Sequence, residues 1–283
     1  MRNSARRLLL ALCLALTPAV VDAQVRALRP ARGVRYERRA VHRGGLHATV
    51  HALVVDLCDP AIEVRATAPG EGGRTTSSWA RRVGAIAAVN GDYFSPARYV
   101  PLGPARGNGR TWPEAPWEHR DALFVAAPGG EVAVIDGPEG AAPWRAVMPL
   151  LSSRWTELVA VRERVLVSGV VRESPAIPHD GERHPRTAIG LTADRRTLML
   201  VVVEGRSERA TGATVRELGE ILRDLGAWDG MKLDGGGSST LFIAGAGVMN
   251  RPSDGAERAV ATHLGVIVRR DVPRRAPSRC QRP

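Results

Sequence analysis

The sequence predicts an α+β protein with mixed, mainly antiparallel β-sheets and a few helices in a single domain. Short segments that alternate, or that are rich in β-branched residues, recur along the chain between turn residues. A clear helical spacing of apolar residues occurs in the segment 214–225. Strands that dominate in this way favour antiparallel pairing, and 283 residues with 44% hydrophobic content can bury a sizeable core.

Residues 1–23 have the order of a secretory signal peptide. Three arginines precede the apolar run Leu8–Leu16, and residues 21–23 then offer a cleavage site, so Gln24 is the expected start of the mature chain. The apolar run is too short to span a bilayer. We therefore expect a secreted or periplasmic protein without stable membrane insertion.

The formal net charge of +11 does not predict a nucleic-acid partner. Much of the excess lies in the predicted signal and in residues 269–283, which hold six arginines and which we expect to form a basic, disordered tail. Aromatic residues make up 4% of the chain, and no pattern resembles a stacking platform for bases. The sequence does not indicate an oligomeric state.

Two cysteines remain once the predicted signal is removed. Cys58 and Cys280 lie far apart in the sequence. An oxidising compartment permits a disulfide between them, but two cysteines alone do not predict that they pair.

The first half of the mature chain predicts a leader, several strands and one short helix. Residues 24–45 contain many Arg and Gly without clear periodicity, and we interpret them as a leader to a domain spanning 46–268. Ser77 and Ser78 offer an N-cap for a short helix, and residues 95–120 predict a long loop of the kind that is usually functional. The predicted strands are Leu46–Leu57, Ala61–Thr67, Ala85–Val89 and the hairpin strands Ala122–Ala126 and Glu131–Ile135.

The second half predicts further strands and one amphipathic helix. The apolar run within Thr197–Glu204 predicts a buried strand. Thr214 and Glu217 form a capping box for a helix that continues to Leu225, and Gly226 suits its C-terminal stop. The other predicted strands are Val165–Val171, Arg186–Leu191, Met231–Leu233, Thr240–Ile243 and His263–Val268.

The stretch LDGGGSSTL, residues 233–241, places three consecutive glycines between Asp234 and a run of small hydroxyl residues. A P-loop needs a Lys after its glycines, a serine nucleophile elbow needs a Gly two residues after the Ser, and a calcium loop needs alternating acids. None of these patterns is met. What remains is a strand, a glycine turn and a second strand. This is either a tight hairpin or a nest whose backbone N–H groups bind anionic or hydroxyl oxygens.

Polar side chains follow the predicted ends of three strands. Asn90 and Asp92 follow the first, Glu204 ends the second and Asp234 ends the third, while Arg186 begins a neighbouring strand. Functional residues tend to collect where loops leave a rigid sheet. Two carboxylates, an arginine and a glycine nest are the groups that glycosyl transfer from a phosphate requires.

The sequence predicts no cofactor. No His, Cys, Asp and Glu residues have the spacing of a zinc site. One possibility stays open, namely a divalent cation shared by Asp92, Glu204 and Asp234 if these three carboxylates converge.

Several motifs, taken in order, resemble the phosphodiester glycosidase family. Asn90-Gly91-Asp92-Tyr93-Phe94 is similar to the Asn-Gly-Gly-Phe-Phe segment of the family, and residues 250–262 are similar to its closing segment. The other matching motifs are Arg186-Thr187-Ala188-Ile189-Gly190, Glu204-Gly205, Gly212-Ala213-Thr214 and Leu233-Asp234-Gly235-Gly236-Gly237-Ser238-Ser239-Thr240. The resemblance extends from about residue 47 to residue 268.

The resemblance implies a secreted hydrolase that cleaves the glycosidic bond of a sugar-1-phosphodiester and releases sugar and phosphomonoester. It implies catalytic roles for Asp234 and Glu204, one as base or nucleophile and one as stabiliser of the oxocarbenium ion. For the phosphate we expect Arg186 and the backbone N–H groups of Gly236 and Gly237. The remaining expected substrate-binding residues are Asn90, Asp92, Thr187 and Ser238.

Other functions stay open at this point. Asp92 stands where glycine is common in the family and Tyr93 where phenylalanine is, so the identity of the substrate is open. One alternative is a non-catalytic glycan-binding or phosphosugar-binding protein of the cell surface. Another is a hydrolase of a different bond, such as a serine esterase, against which the missing nucleophile elbow argues. A transferase that uses a glycan acceptor instead of water is a variant of the main interpretation.

Overall fold

The computed structural model of the chain describes residues 26–113, 115, 120–137, 144–173, 179–273 and 280. The predicted signal peptide, part of the predicted loop 95–120 and most of the predicted tail lie outside these residues. Within these ranges, no helix is both long and apolar enough to cross a bilayer.

Strands dominate the described part of the chain. In its N-terminal half they are β1 (Arg26–Ala31), β2 (Val34–Arg43), β3 (Leu46–Asp56), β4 (Ile62–Ala66), β5 (Ala87–Asn90), β6 (Phe94–Ser95), β7 (Val100–Pro101), β8 (Ala105–Gly107), β9 (Arg110–Thr111), β10 (Ala122–Ala126) and β11 (Val132–Asp136). In its C-terminal half they are β12 (Glu157–Val161), β13 (Glu163–Val167), β14 (Val170–Val171), β15 (Arg186–Leu191), β16 (Thr197–Val203), β17 (Asp229–Lys232), β18 (Leu241–Ile243), β19 (Gly247–Val248) and β20 (His263–Val268). The helices are α1 (Thr76–Val83), α2 (Trp144–Val147) and α3 (Val215–Asp224), with 3₁₀ turns at Met148–Leu150 and Gly236–Ser238.

These strands form three larger sheets and one short ribbon. The eight-stranded sheet has the order β1-β2-β3-β16-β15-β17-β13-β14. The β20 sheet has the order β19-β18-β5-β20-β4, the β10 sheet has the order β11-β10-β12-β8-β9, and β6 pairs with β7. Every strand pair among the described residues is antiparallel. The predicted α+β fold with mainly antiparallel sheets is confirmed.

One hydrophobic core is shared by the inner faces of the three larger sheets. Leu200 and Val202 of β16 belong to the same buried cluster as Leu264 of the β20 sheet and Phe124 of the β10 sheet. Burying a side chain of this size stabilises the fold by about 1.5–3 kcal/mol. The sheets are therefore held together by apolar contact.

Helices cover the outer faces of the sheets. Met199 of β16 faces away from the shared core and packs in a cluster with Leu218 and Leu222 of α3. Trp79 of α1 packs on the β20 sheet, and Trp144 of α2 packs on the β10 sheet. Because β16 is buried on both faces, its sequence is a continuous apolar run instead of an alternating one.

Helix α3 begins with the capping box that the sequence predicts. The Thr214 side chain accepts a hydrogen bond from the backbone N–H of Glu217, and the Glu217 carboxylate accepts one from the backbone N–H of Thr214 at 2.9 Å. These bonds satisfy two N–H groups that the first turn leaves free. The helix ends at Asp224, one residue before the predicted end.

Residues 24–45 differ from the irregular leader that the sequence predicts. They contain β1 and β2, which extend the eight-stranded sheet beyond β3. In β2 the buried residues Val34 and Tyr36 flank the exposed Arg35, but arginines occupy half of the remaining positions. β1 has an irregular register between Leu28 and Ala31. Strands with this composition do not show a clear period in the sequence.

Two other segments also differ from their predictions. The predicted long loop 95–120 contains parts of the short strands β6 to β9, each of two or three residues. The predicted strand Val165–Val171 is a hairpin, because Ser168 and Gly169 adopt positive φ angles between β13 and β14. Elements this short carry no measurable periodicity.

A disulfide bond joins Cys58 to Cys280. It connects the turn between β3 and β4 to a point in the predicted tail. The backbone N–H of Arg269 also donates to the carbonyl of Ala61 at 2.8 Å. The pairing that the sequence left open is thus present, and the C-terminal end of the described chain is attached to the domain.

Candidate active site

A cleft of about 480 Å³ opens where loops leave the eight-stranded sheet and the β20 sheet. Its wall combines five cationic side chains, three carboxylates, two imidazoles, Tyr93 and the glycines 235–237. The ionisable residues other than Tyr93 are Arg162, Arg186, Arg206, Lys232, Arg258, Asp180, Glu182, Asp234, His179 and His184. The excess of positive charge suits an anionic ligand.

The glycine loop, residues 233–240, crosses from one sheet to another. It leaves β17 in the eight-stranded sheet and enters β18 in the β20 sheet. The hairpin interpretation is therefore wrong, because β17 and β18 do not pair. The second glycine of the loop, Gly236, has a φ of 59°, in the left-handed region that glycine adopts without a steric penalty.

Asn90 fastens the glycine loop to both sheets. Its Nδ2 donates to the carbonyl of Asp234 at 2.8 Å, and its Oδ1 accepts from Thr187 Oγ1 at 2.8 Å and from the N–H of Thr240 at 3.2 Å. Asn90 and Thr187 are both 0% exposed. The structure therefore gives these two residues a positioning role beneath the cleft, in place of the expected substrate contact.

The glycines make room for two arginines against the backbone of the loop. A Cβ on Gly236 would lie 3.1 Å from the guanidinium of Arg206. A Cβ on Gly237 would overlap the guanidinium of Arg258 and the carboxylate of Asp254, which form an ion pair. Arg206 itself has a φ of 58°, an uncommon conformation for a residue with a side chain. We call the three glycines with Arg206 and Arg258 the glycine wall.

Asp234 lies at the start of the glycine wall. Its Oδ1 accepts a hydrogen bond from the N–H of Gly235 at 2.9 Å, and its carboxylate also accepts one from Ser238. Its own N–H donates to the carbonyl of Gly91 at 3.0 Å. Burial raises the pKa of Asp234, and the hydrogen bonds and the charge of Arg258 offset this only in part. A carboxylate with a raised pKa in a cleft is suited to act as a base or a nucleophile.

Ser238 was expected to contact a sugar hydroxyl, and the structure places it behind Asp234. It is 1% exposed, and Arg258 Nη1 lies 3.5 Å from its Oγ. Its hydroxyl thus connects the carboxylate of Asp234 to the glycine wall.

Arg186 lines the cleft as expected, but most of its guanidinium is engaged by backbone carbonyls. Its Nε donates to the carbonyl of Ala213 at 2.9 Å, and its Nη2 donates to the carbonyls of His179 at 3.1 Å and Glu182 at 2.9 Å. Burial lowers the pKa of Arg186. Its main role in the structure is to hold the loop 179–184, and the exposed arginines of the glycine wall are better placed for a phosphate.

Lys232 is the only lysine in the sequence, and it lies in this cleft with 2% exposure. Its Nζ donates to Glu163 at 3.0 Å and to Asp180 at 3.1 Å, and lies 5.8 Å from the centre of the Tyr93 ring. Burial alone lowers the pKa of Lys232, but Tyr93 and the two carboxylates raise it above its usual value. The ammonium therefore stays charged and links β17 to β13.

Asp92 lies beneath the cleft and does not line it. It is 3% exposed, and its Oδ2 accepts a hydrogen bond from Nε of the buried Arg120 at 2.6 Å. Burial raises the pKa of Asp92 to about 6; Arg120 opposes this rise, and the charge of Asp234 adds to it. The structure gives Asp92 an ion-pair partner in place of the expected sugar hydroxyl.

Glu204 lines a second cavity of about 740 Å³, apart from the cleft. Its Oε1 lies 2.8 Å from Nε2 of His51 and accepts the N–H of Arg251 at 2.8 Å. Burial raises the pKa of Glu204, but these hydrogen bonds outweigh it and the pKa is lowered. The expected pairing with Asp234 in one site is not found, because the chain turns after β16 so that Arg206 faces the cleft instead. A cation shared by Asp92, Glu204 and Asp234 was left open if the three carboxylates converged, and they do not line one cavity.

Three possible metal ligands meet on the cleft wall. His179 Nδ1 and His184 Nε2 each lie 3.0 Å from Glu182 Oε2, and the three donor atoms all lie within 4.8 Å of one another. The sequence did not predict this cluster, because its His-x-x-Glu-x-His spacing matches no common zinc pattern. A turn in the backbone, which the sequence does not reveal, brings the three side chains together.

Solved structures with this fold come from organisms as different from each other as Synechocystis and zebrafish. A hypothetical protein from Synechocystis superposes with a TM-score of 0.71 at 16% identity, over 88% of this chain and 64% of that chain. The catalytic domain of zebrafish N-acetylglucosamine-1-phosphodiester alpha-N-acetylglucosaminidase, auto-inhibited by its pro-peptide, superposes with a TM-score of 0.67 at 20% identity, over 87% of this chain and 88% of that one. At these identities the similarity shows the fold.

Sequence comparison adds a relative and a family. The SPbeta prophage-derived uncharacterized protein YomE of Bacillus subtilis (strain 168) is 40% identical over 84 residues. These residues are 30% of this chain and 13% of that protein, so the chain spans a small part of its length. A sequence model described as phosphodiester glycosidase matches residues 83–267, which include Asp234 and the whole glycine wall. The chain therefore belongs to the phosphodiester glycosidase family.

Proposed function

We propose that the protein is an exported glycosidase that hydrolyses the bond between the anomeric carbon of a sugar and a phosphodiester, releasing sugar and phosphomonoester. The observation that carries this proposal is the position of Asp234 beside the exposed arginines of the glycine wall. A carboxylate can react at the anomeric carbon or activate water there, and two guanidinium groups can bind the phosphate. Membership of the phosphodiester glycosidase family supports a glycosidase-type function.

The proposed reaction can proceed with one carboxylate, in place of the pair that ordinary glycosidases use. The leaving group is a phosphomonoester, which departs without a proton, so the need for the general acid of ordinary glycosidases is weaker. Asp234 either takes a proton from the water that attacks the anomeric carbon, or attacks that carbon itself and forms a glycosyl ester that water then hydrolyses to free sugar and the carboxylate. As the bond from that carbon to the phosphate oxygen breaks, the electron pair moves onto the phosphate, where Arg206 and Arg258 stabilise the charge.

Export is supported by the chain and its disulfide. The first 23 residues have the pattern of a signal peptide, and a disulfide joins Cys58 to Cys280. Disulfides persist in oxidising compartments such as the periplasm and the extracellular space.

The test is to incubate the mature protein with a panel of sugar-1-phosphodiesters, including UDP-N-acetylglucosamine, and to measure free sugar. Aryl glycosides of the same sugars, which lack the phosphate, are the matched control substrates. We expect release from at least one phosphodiester and none from its neutral counterpart. Equal release from both would contradict the role of the phosphate. Tight binding without any release would instead support the non-catalytic phosphosugar-binding alternative.

A further inference from the structure

We propose that His179, Glu182 and His184 form a zinc-binding site on the wall of the cleft, with an open coordination position toward the substrate. Two imidazoles and one carboxylate are a ligand set that catalytic zinc sites use, leaving a fourth position for water or substrate. Imidazole nitrogen also favours zinc over magnesium or calcium. The binding claim does not depend on the proposed reaction.

The three donors are already close to the spacing that zinc requires. Tetrahedral bonds of 2.0–2.2 Å place neighbouring ligand atoms about 3.3 Å apart. The two nitrogen-to-oxygen distances in the cluster are both 3.0 Å. The separation of the two nitrogens is at most 4.8 Å, and the His179 side chain, which is 71% exposed, is free to rotate inward.

The backbone beneath the cluster is held from below. Arg186 is 4% exposed, and its Nη2 donates to the carbonyls of both His179 and Glu182. His184 exchanges two backbone hydrogen bonds with Ala213, at 3.2 and 3.0 Å. His179 has a φ of 76°, an uncommon conformation that this clamp maintains. The ligands are thus ordered by bonds that do not use their donor atoms, which is the arrangement that supporting residues give to metal ligands.

Without a metal, the cluster is a hydrogen-bond network in which Nδ1 of His179 and Nε2 of His184 both lie 3.0 Å from one carboxylate oxygen of Glu182. Zinc would replace the protons in these two contacts. Arg206 is a neighbour that opposes zinc, because its Nε lies 3.4 Å from Nδ1 of His184 and its charge repels a dication. When zinc occupies Nε2 of His184, Nδ1 carries the proton, so the Arg206 side chain must turn away.

A bound zinc ion would add to the chemistry of this cleft in one respect. Because the cluster and Asp234 line the same cleft, a zinc ion with an open position would bind a phosphate oxygen or a water molecule there and withdraw charge from it. The residues Asp180 and Lys232 on the same wall remain paired to each other.

Isothermal titration of the EDTA-treated mature protein with zinc chloride tests the site. We expect one zinc ion per chain, and a loss of affinity of roughly 100-fold or more in His179→Ala, Glu182→Gln and His184→Ala. Cobalt(II) in place of zinc should give the visible absorption of a tetrahedral site in the wild type and not in the variants. Arg206→Gln should bind zinc at least about threefold more tightly, because a like charge is removed.

The control is His42→Ala. His42 and His47 form an exposed pair 3.0 Å apart that does not line the cleft, and among the described residues neither belongs to a group of three possible ligands. This variant should keep the full affinity. Melting temperatures measured in EDTA establish that each variant is folded, and His179→Ala is the safest of them because its side chain is exposed. No zinc binding by the wild type, or equal binding by all variants, would show that the cluster is a hydrogen-bond network only and would overturn the proposal.

Discussion

Asp234 is the residue on which the proposed reaction depends most. Asp234→Asn keeps an oxygen to accept the N–H of Gly235 but removes the charge, so the fold should be retained. We expect turnover to fall by about 10²–10⁴-fold, the range that a base or acid contributes. The measurement is the rate of sugar release at saturating substrate, with circular dichroism as the check on folding.

Asp194→Asn is the matched control for this loss. Asp194 is 57% exposed in the turn before β16 and makes only local hydrogen bonds. Its variant should retain wild-type turnover. If Asp234→Asn were as active as Asp194→Asn, Asp234 would have no role at the anomeric carbon.

Asp92 gives the stability of the protein a characteristic dependence on pH. Its pKa is about 6 in the folded protein and 3.8 in the unfolded chain, so the folded state binds the proton more tightly. This contribution to the free energy of unfolding is fully present below about pH 4 and is lost as the pH rises through about 6, with a size of up to about 3 kcal/mol. The side chain in the Asp92→Asn variant does not titrate, so the variant should lack this pH-dependent contribution to the free energy of unfolding.

Urea unfolding at pH 4, 5, 6 and 7 measures the effect. As the pH rises, the unfolding free energy of the wild type should fall relative to that of Asp92→Asn. A difference that is constant over this range would show that the buried pair with Arg120 keeps Asp92 ionised throughout.

Polar residues at strand ends were the main sequence signal for the site. In the structure their side chains point in different directions. Asp234 reaches the cleft, Asn90 and Asp92 point beneath it, and Glu204 points into another cavity. A strand end can be predicted from the sequence, but the side-chain direction after a loop depends on the backbone turn. Arg206 was missed for the same reason, although it follows a motif that the sequence analysis recognised.

At the scale of an element, the glycine loop should respond differently to alanine at two neighbouring positions. A Cβ on Gly235 would lie 2.8 Å from the carbonyl oxygen of Pro185, which the backbone cannot easily move. A Cβ on Gly237 would meet only the ends of the Asp254 and Arg258 side chains, which can rotate. Gly235→Ala should therefore lower stability, by about 1–3 kcal/mol. Gly237→Ala should stay folded and raise KM by displacing Arg258.

Melting temperature and steady-state kinetics separate these two outcomes. Gly181→Ala is the control, because a Cβ there meets nothing within 4 Å and its φ is not in the left-handed region. An unchanged KM in a folded Gly237→Ala variant would mean that Arg258 does not contact the phosphate.

Elements differ in how much of them the sequence reveals. Helix α3 was predictable because its cap residues and its apolar spacing agree, and β16 because it is buried on both faces. The strands β1 and β2 at one end of the eight-stranded sheet were not, since many of their side chains face solvent and do not form an apolar pattern. Which strands pair across the molecule depends on contacts distant in sequence, so the crossing of the glycine loop between two sheets was not predictable either.

At the scale of the whole molecule, the disulfide encloses almost the entire domain. Cys58 and Cys280 are 222 residues apart, and closing so large a loop restricts the unfolded chain strongly. The double variant Cys58→Ser, Cys280→Ser should lose about 2–5 kcal/mol of unfolding free energy. Thermal unfolding followed by circular dichroism should show a melting temperature about 5–15 °C lower.

A reducing agent provides the control for this prediction. It should lower the melting temperature of the wild type toward that of the double variant and leave the double variant unchanged. No difference between the oxidised and the reduced wild type would contradict a stabilising role for the bond.

The order of strands in the β20 sheet determines when the protein can finish folding. Among the described residues, β4 pairs only with β20, and β20 also separates β4 from β5. Ribosomes add about 5–20 residues per second, so the roughly 200 residues between β4 and β20 take about 10–40 s to appear. Throughout that interval β4, whose Ile62, Val64 and Ala66 are buried in the folded protein, lacks its pairing partner. The β20 sheet therefore cannot be completed until the last strand of the domain has been made.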